Sequence, residues 1–208
     1  MLTQAIPKFG WTSAGAEQSH SYLLPTTLRL LHKYNVESIL DIGTGNGSNI
    51  PSWQSCAKRV AAIEPDEEGF NFARNYNGAE VKQFGVGEPI PEEWENSFDA
   101  VISLEVIEHL FNPSDLVKTA QQTLAENGIV IISTPYHGYF KNLALALADK
   151  WDHHHHPGKT GGHIKFWTRK SLSDLFMQQG FKELEFEGVG RLPYLWKSMI
   201  MVFQIDKK

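Results

Sequence analysis

Short apolar runs alternate with amphipathic segments along most of the chain. Five compact apolar runs, each followed by turn residues, predict buried strands at 36–43, 60–63, 80–84, 98–104 and 128–135. Apolar residues at helical spacing predict a helix at 21–34, Asp66 can cap a helix over 66–75, and a further helix is predicted at 171–179. A further helix is predicted to begin at Asn112 and Pro113 and to end at Gly128.

The alternation of strands and helices indicates a mainly parallel sheet with helices on both faces. Two last strands, at 181–187 and 198–205, have no helix between them, which predicts an antiparallel hairpin at one edge. The expected fold is therefore α/β, a Rossmann-like, seven-stranded mixed sheet. No repeat or linker divides the chain, so we expect a single domain over 1–208 with an N-terminal arm and helix at 1–36. The segment 136–170 fits no regular period and is expected to be an insertion over the active site.

Composition narrows the class of protein. The 208 residues are 41% hydrophobic and 21% charged, and the net charge of −5 gives no basic field for nucleic acid. Cys56 is the only cysteine, which excludes an internal disulfide and favours a reducing compartment. The N-terminus lacks the pattern of a signal peptide, and no apolar run approaches the roughly 20 residues of a membrane span. These features predict a cytoplasmic protein without a transmembrane segment.

Charge is unevenly distributed. Between Tyr136 and Lys170 there are six basic residues against two acidic ones, whereas the rest of the chain is acidic. Because aromatic residues lie among these basic side chains, the segment could attract an anionic acceptor or an anionic membrane surface. A few exposed lysines on an ordinary loop would give the same composition, and both interpretations stay open.

The most specific signal is a glycine loop directly after the first strand, ILDIGTGNGSN at 39–49. Gly43, Gly45 and Gly47 leave the backbone open to a ligand, and the first strand-to-helix loop of a parallel sheet is a site for nucleotide-like ligands. A dinucleotide pattern needs glycine where Ser48 stands. The tighter loop suits the methionine part of S-adenosylmethionine (SAM), and Glu64, at the end of the second strand, is placed to accept its ribose hydroxyls.

These residues resemble those of class I SAM-dependent methyltransferases over 38–135, and SFDAVISLEVIEHLFNP resembles the fourth-strand region of the ubiquinone-pathway O-methyltransferase branch. The resemblance implies that Asp41 and the glycine loop hold the methionine end, that Glu64 holds the ribose, and that Glu105 lies near the cofactor. After the third strand this chain has FGVGEP in place of the acid that often receives the adenine amino group. The predicted cofactor-binding residues are Asp41, Gly43, Thr44, Gly45, Gly47, Glu64, Pro65, Val86, Leu104 and Glu105.

Histidines and aromatic residues are the candidates for the acceptor site. His163 and His137 are candidate general bases because the pKa of histidine suits proton removal from a hydroxyl. His109 is a third candidate, although i, i+4 spacing would also place it on one helix face with Glu105 as a structural partner. Trp11, Tyr136, Tyr139 and Trp167 are predicted to contact substrate, with Trp11 closing over the cofactor.

The run His153–His156 invites a metal interpretation, but adjacent side chains point in different directions and seldom form a closed site. We expect a solvated or hydrogen-bonding loop there, and no metal site is predicted.

The sequence thus predicts an enzyme that transfers a methyl group from SAM to a small-molecule acceptor, most simply a hydroxyl oxygen, and leaves S-adenosylhomocysteine (SAH). An anionic or lipophilic acceptor and peripheral contact with a membrane stay open. One alternative is a non-catalytic protein on the same fold that binds SAM, a metal or a partner. A second alternative is a nicotinamide oxidoreductase, which is disfavoured because the third glycine of the dinucleotide pattern is missing.

Overall fold

One mixed sheet organises the protein. The computed structural model describes residues 10–13, 15, 19–155, 158 and 161–207. The strands of the sheet are β1 (Ser38–Ile42), β2 (Arg59–Ile63), β3 (Ala79–Lys82), β4 (Phe98–Leu104), β5 (Leu124–Pro135), β6 (Phe181–Val189) and β7 (Ser198–Ile205). The helices are α1 (His20–Lys33), α2 (Ile50–Gln54), α3 (Glu67–Ala73), α4 (Pro113–Thr123), α5 (Tyr139–Leu147), α6 (Trp151–His155) and α7 (Arg169–Met177). Short 3-10 helices lie at Glu92–Trp94 and Ile107–His109.

The strand order β3-β2-β1-β4-β5-β7-β6 confirms the predicted fold class. The first five strands in this order are parallel, and β7 pairs antiparallel with both β5 and β6. Ile42 is in register with Ile63, and Leu104 with Ser133. The loops after these parallel strands therefore leave the sheet at one edge, where ligands bind in such folds.

Two apolar cores lie on opposite faces of the sheet. Alternate strand residues such as Leu40 and Ile39 belong to different cores, because successive side chains of a strand point to opposite faces. Residues of α4 and α7 complete one core, and residues of α1, α2 and α3 complete the other. This packing holds the strands and helices in place, so the loops after the parallel strands start and end at fixed positions.

Helix caps set two of the boundaries near this edge. Asp66 accepts a hydrogen bond from the Gly69 N–H at 2.9 Å and begins α3, as the sequence predicted. Thr168 and Ser171 form a reciprocal capping box at the start of α7.

Two sequence expectations about elements are wrong. The fourth helix ends at Thr123 rather than at Gly128, because Leu124 already pairs with Phe98 and buries its side chain in the core. The segment after β5 is not irregular, since it contains α5 and α6. The apolar face of α5, formed by Tyr139, Phe140, Leu143 and Leu147, is exposed rather than buried against the sheet.

Among the helices that the structure describes, none combines the length and the apolarity needed to cross a bilayer.

Candidate functional site

The glycine loop adopts a conformation that only glycine accepts easily. Gly43, Gly45 and Gly47 have φ values of +74°, +59° and +78°. A Cβ on Gly43 would lie 2.7 Å from Cγ2 of Val106, and one on Gly47 would lie 2.7 Å from the Cα of Ala73. The Gly43 and Thr44 N–H groups donate to the Ile63 carbonyl at 2.9 and 3.1 Å, which ties the loop to the end of β2. The loop is thus held tightly against two neighbouring elements.

Asp41 holds this loop in place through side-chain hydrogen bonds. Its buried carboxylate accepts hydrogen bonds from Thr44 Oγ1 at 3.0 Å and Trp53 Nε1 at 2.9 Å. Burial raises the pKa of Asp41 to about 6, although both hydrogen bonds oppose the shift. Asp41 therefore connects the loop to α2 and positions the backbone that a ligand would contact.

Glu64 lies buried at the end of β2, with its carboxylate beside the loop. Its two oxygens accept hydrogen bonds from the N–H groups of Gly45 at 2.7 Å and Asp66 at 2.9 Å. Burial raises the pKa of Glu64 to about 7. Among the described residues, no lysine or arginine forms an ion pair with it. A carboxylate held in this way retains acceptor capacity for hydroxyl groups of a ligand.

Trp11 packs over the loop. A Cβ on Gly45 would lie 2.5 Å from Trp11 Cζ2, and a Cβ on Gly69 would lie 3.0 Å from Trp11 Cδ1. The indole Nε1 is buried and has no hydrogen-bond partner in the part of the chain that the structure describes. The position of Trp11 is compatible with the predicted closure over the cofactor, which stays a prediction.

The loop after β3 approaches the residue after Glu64. A Cβ on Gly85 would lie 3.6 Å from Cβ of Pro65, and Val86 packs against the core. The Gly85 N–H donates to Glu88 Oε1 at 2.7 Å. Pro65 and this loop therefore lie together beside Glu64, where the resemblance places the adenine.

Glu105 lies directly after β4 and is fully engaged. Its carboxylate accepts hydrogen bonds from Ser133 Oγ at 2.8 Å and Ser198 Oγ at 3.0 Å, and burial raises its pKa to about 7. The expectation that Glu105 and His109 share a helix face is wrong. Glu105 has a φ of +56°, and the short helix begins only at Ile107. Leu104, which precedes Glu105, is half-buried at the end of β4.

Lys141 is a buried cation that the sequence did not single out. Its ammonium donates to the Lys197 carbonyl at 3.1 Å, and burial lowers its pKa to about 8 while the charge of Glu105 opposes that shift. Only 4% of Lys141 is exposed, so it does not belong to a surface basic patch. Because its burial depends on how α5 folds against the sheet, composition alone could not reveal it.

Glu108, His109 and His163 form a cluster at the same edge. One ligand atom from each residue lies within 4.8 Å of the others. The rings of His109 and His163 are 4.9 Å apart at 76°, so two of the three predicted bases are neighbours. Glu108 was missed as a site residue, although its place beside His109 in the E-x-x-E-H run was a usable signal.

His137 lies apart from this pair, among aromatic rings. It stacks on His155 with 5.4 Å between centroids and meets Phe166 edge-on at 5.1 Å. Burial and the charge of Lys141 lower its pKa to about 4, which makes it a weak base. His153–His155 belong to α6 rather than to the expected loop, and His156 lies outside the described residues.

The three other predicted substrate contacts have different surroundings. Tyr136 is half-buried and meets the Trp196 ring edge-on at 5.1 Å. Trp167 packs against the core, and its buried Nε1 has no hydrogen-bond partner among the described residues. Tyr139 lies on the surface of α5 and is 74% exposed, so within the described structure it is not enclosed in a pocket.

Comparison with known proteins agrees with this geometry. The family model described as a methyltransferase domain matches residues 16–185. A Mycobacterium tuberculosis protein, named as a SAM-dependent methyltransferase, is 27% identical over 173 residues, which are 80% of this chain and 57% of that protein. The chain thus spans little more than half of that relative. A ubiquinone biosynthesis O-methyltransferase of Ruegeria is 28% identical over 170 residues, covering 78% of this chain and 67% of that enzyme.

Solved structures support the same fold. A protein from Pyrococcus horikoshii superimposes with a TM-score of 0.71 at 16% identity, covering 94% of this chain and 95% of that one. The magnesium protoporphyrin IX methyltransferase of Synechocystis, solved with bound SAH, gives 0.65 at 15% identity and covers 88% and 82%. The predicted family and fold are confirmed. The chain belongs to the methyltransferase domain family, among the class I SAM-dependent methyltransferases.

Proposed function

We propose that this chain transfers a methyl group from SAM to a small-molecule acceptor, and that the acceptor atom is a hydroxyl oxygen. The observation that carries the proposal is the pairing of the glycine loop with the buried carboxylate of Glu64, which accepts a hydrogen bond from the Gly45 N–H at 2.7 Å. The family match over residues 16–185 supports it.

The residues at the loop fit SAM. The positive-φ glycines let the loop pass close to Val106, Trp11 and Ala73, and Asp41 fixes the loop through Thr44. Glu64 would accept hydrogen bonds from the ribose hydroxyls, and Pro65 with the Gly85 loop would flank the base. Glu105, held by Ser133 and Ser198, keeps the end of β4 in place beside the loop. Bound SAM supplies an electrophilic methyl group on a sulfonium.

Methyl transfer to a hydroxyl forms an oxygen–carbon bond, breaks a sulfur–carbon bond and leaves SAH, while the hydroxyl proton must be accepted elsewhere. The cluster of Glu108, His109 and His163 is the candidate for that role, because Glu108 lies two residues beyond Val106, which contacts Gly43. His137 is the weaker candidate since its pKa is lowered to about 4. Alignment of the reacting atoms in a site that excludes water lowers the barrier by several kcal/mol.

The acceptor class rests on the segment between β5 and α7. Exposed apolar side chains on α5, including Tyr139, Phe140 and Leu147, are compatible with a lipophilic acceptor. An anionic acceptor and contact with a membrane stay predictions, as does the assignment of 136–170 as an insertion over the active site.

A labelling experiment tests the activity. The protein is mixed with methyl-tritiated SAM and a cell extract, with Glu64→Ala as the control that should bind the cofactor poorly. We expect label in a small organic product with the unaltered protein alone. Label in protein or RNA would overturn the acceptor class. Binding of SAH without any label transfer would favour a non-catalytic SAM-binding protein.

A further inference from the structure

Glu108 presents a buried oxygen that lacks a partner. Its side chain is 1% exposed, and its Oε2 accepts a hydrogen bond from Thr134 Oγ1 at 3.0 Å. Oε1 has no hydrogen-bond partner among the described residues. An ionised carboxylate buried without full compensation costs several kcal/mol, so this atom calls for a cation or a proton.

Two imidazoles lie at this carboxylate. The candidate ligand atoms of Glu108, His109 and His163 lie within 4.8 Å of one another. Ligands bonded to one tetrahedral cation at about 2.1 Å lie about 3.4 Å apart, so small side-chain rotations would complete such a site.

The backbone holds the cluster together across the sequence. The N–H groups of Ile164 and Lys165 both donate to the Glu108 carbonyl, at 2.9 and 3.0 Å. Nδ1 of His109 lies 3.2 Å from the Gly162 carbonyl. A ring that donates from Nδ1 to a carbonyl carries its lone pair on Nε2, and this is the usual arrangement of a histidine that binds a metal.

We propose that Glu108, His109 and His163 bind one divalent transition-metal cation beside the cofactor loop. Imidazole and carboxylate together favour Mn²⁺, Fe²⁺ or Zn²⁺ over Mg²⁺ and Ca²⁺. The site adjoins the loop. Val106 contacts Gly43, and Glu108 is only two residues after Val106, so the Cα atoms of Val106 and Glu108 are no more than about 7 Å apart.

The proposal rests on the proposed function and specifies how the acceptor proton is lost. Three protein ligands leave a coordination position open, which an acceptor hydroxyl can occupy. A divalent cation lowers the pKa of a hydroxyl bound to it, so the proton leaves to solvent without a dedicated base. His109 and His163 then act as ligands and not as proton acceptors.

The test is a Mn²⁺ titration of the full chain after chelator treatment, followed by electron paramagnetic resonance of free Mn²⁺. We expect one Mn²⁺ per chain, and we expect Glu108→Gln and His163→Ala each to weaken binding by about 100-fold or more. The matched control is His153→Ala with His154→Ala, which removes two imidazoles of α6 and should leave the Kd unchanged. Circular dichroism and SAH titration of each variant confirm that it is folded.

Three results would overturn the site: an absence of bound Mn²⁺ at millimolar concentration, an unchanged Kd in Glu108→Gln and His163→Ala, or loss of binding in the α6 control. The SAH titration separates this outcome from failure of the proposed function. A chain that binds SAH but no Mn²⁺ retains the proposed function and loses the metal site, whereas a chain that binds no SAH loses the proposed function itself.

Discussion

At the scale of single residues, the site depends on backbone conformations and buried carboxylates. The glycine loop and Glu64 could be predicted from the sequence, because strand, loop and acid follow one another at short spacing. Lys141 could not be assigned in this way, and Glu108 was signalled only by its place beside His109 in the E-x-x-E-H run. The surroundings of both depend on how the chain after β5 packs back onto the sheet.

Substitution of Gly43 tests whether SAH binding depends on the close packing of the glycine loop and not merely on the absence of backbone strain. Gly43→Ala should abolish detectable SAH binding, since its Cβ would lie 2.7 Å from Val106 at a φ of +74°. Gly180→Ala is the matched control, because Gly180 has a φ of +83° and, among the described residues, no atom lies within 4 Å of its added Cβ. Both variants should lose about 1–2 kcal/mol of stability from backbone strain. Isothermal titration with SAH distinguishes them, and equal affinities would contradict a tightly packed loop.

The raised pKa of Glu64 predicts that the stability of the protein depends on pH. Burial raises its pKa from 4.5 to about 7 in the folded chain, so the folded state holds this proton more tightly than the unfolded state does. The free energy of unfolding should therefore fall as pH rises from 4.5 to 7, by at most about 3 kcal/mol from this group. Urea unfolding at pH 5 and pH 8 should show a smaller fall in Glu64→Gln than in the unaltered protein. Parallel changes in the two proteins would show that Glu64 does not titrate in this way.

At the scale of elements, the spacing of apolar residues and the helix-capping residues predicted most helix and strand boundaries. Where these local signals failed, burial of a side chain in the core decided the boundary instead. Asp66 begins α3 as its side chain suggests. Gly128 does not end α4, because Leu124 is already pairing with Phe98 in the sheet. The sequence analysis missed α5, whose apolar face of Tyr139, Phe140, Leu143 and Leu147 is exposed.

The cap of α7 gives a test at this scale. In Thr168→Ala the Ser171 N–H loses its side-chain acceptor, at present 3.2 Å away. We expect unfolding to require about 1 kcal/mol less free energy, and we expect Thr168→Ser to restore most of it. Chemical denaturation measures both effects. A loss in Thr168→Ser as large as that in Thr168→Ala would mean that the methyl group, and not the hydroxyl, stabilises the helix start.

At the scale of the whole molecule, the sheet brings distant residues to one edge. The ends of β1, β2 and β4 deliver Asp41, Glu64 and Glu105, and the segment before α7 brings His163 against Glu108. The alternation of strands and helices predicts parallel strands whose following loops meet at one edge, so the cofactor side of this edge was predictable. The acceptor side was not, because it depends on long-range docking of 161–165 that no local pattern encodes.

The central claim is that the glycine loop and Glu64 bind the nucleoside of SAM. Calorimetric titration with SAH, comparing the unaltered chain with Glu64→Ala, tests it most directly. The account predicts saturable binding of one SAH per chain and an affinity about tenfold to 100-fold lower in Glu64→Ala, the cost of losing hydrogen bonds to a charged acceptor. An absence of SAH binding at millimolar concentration, or equal affinities in the two proteins, would contradict it.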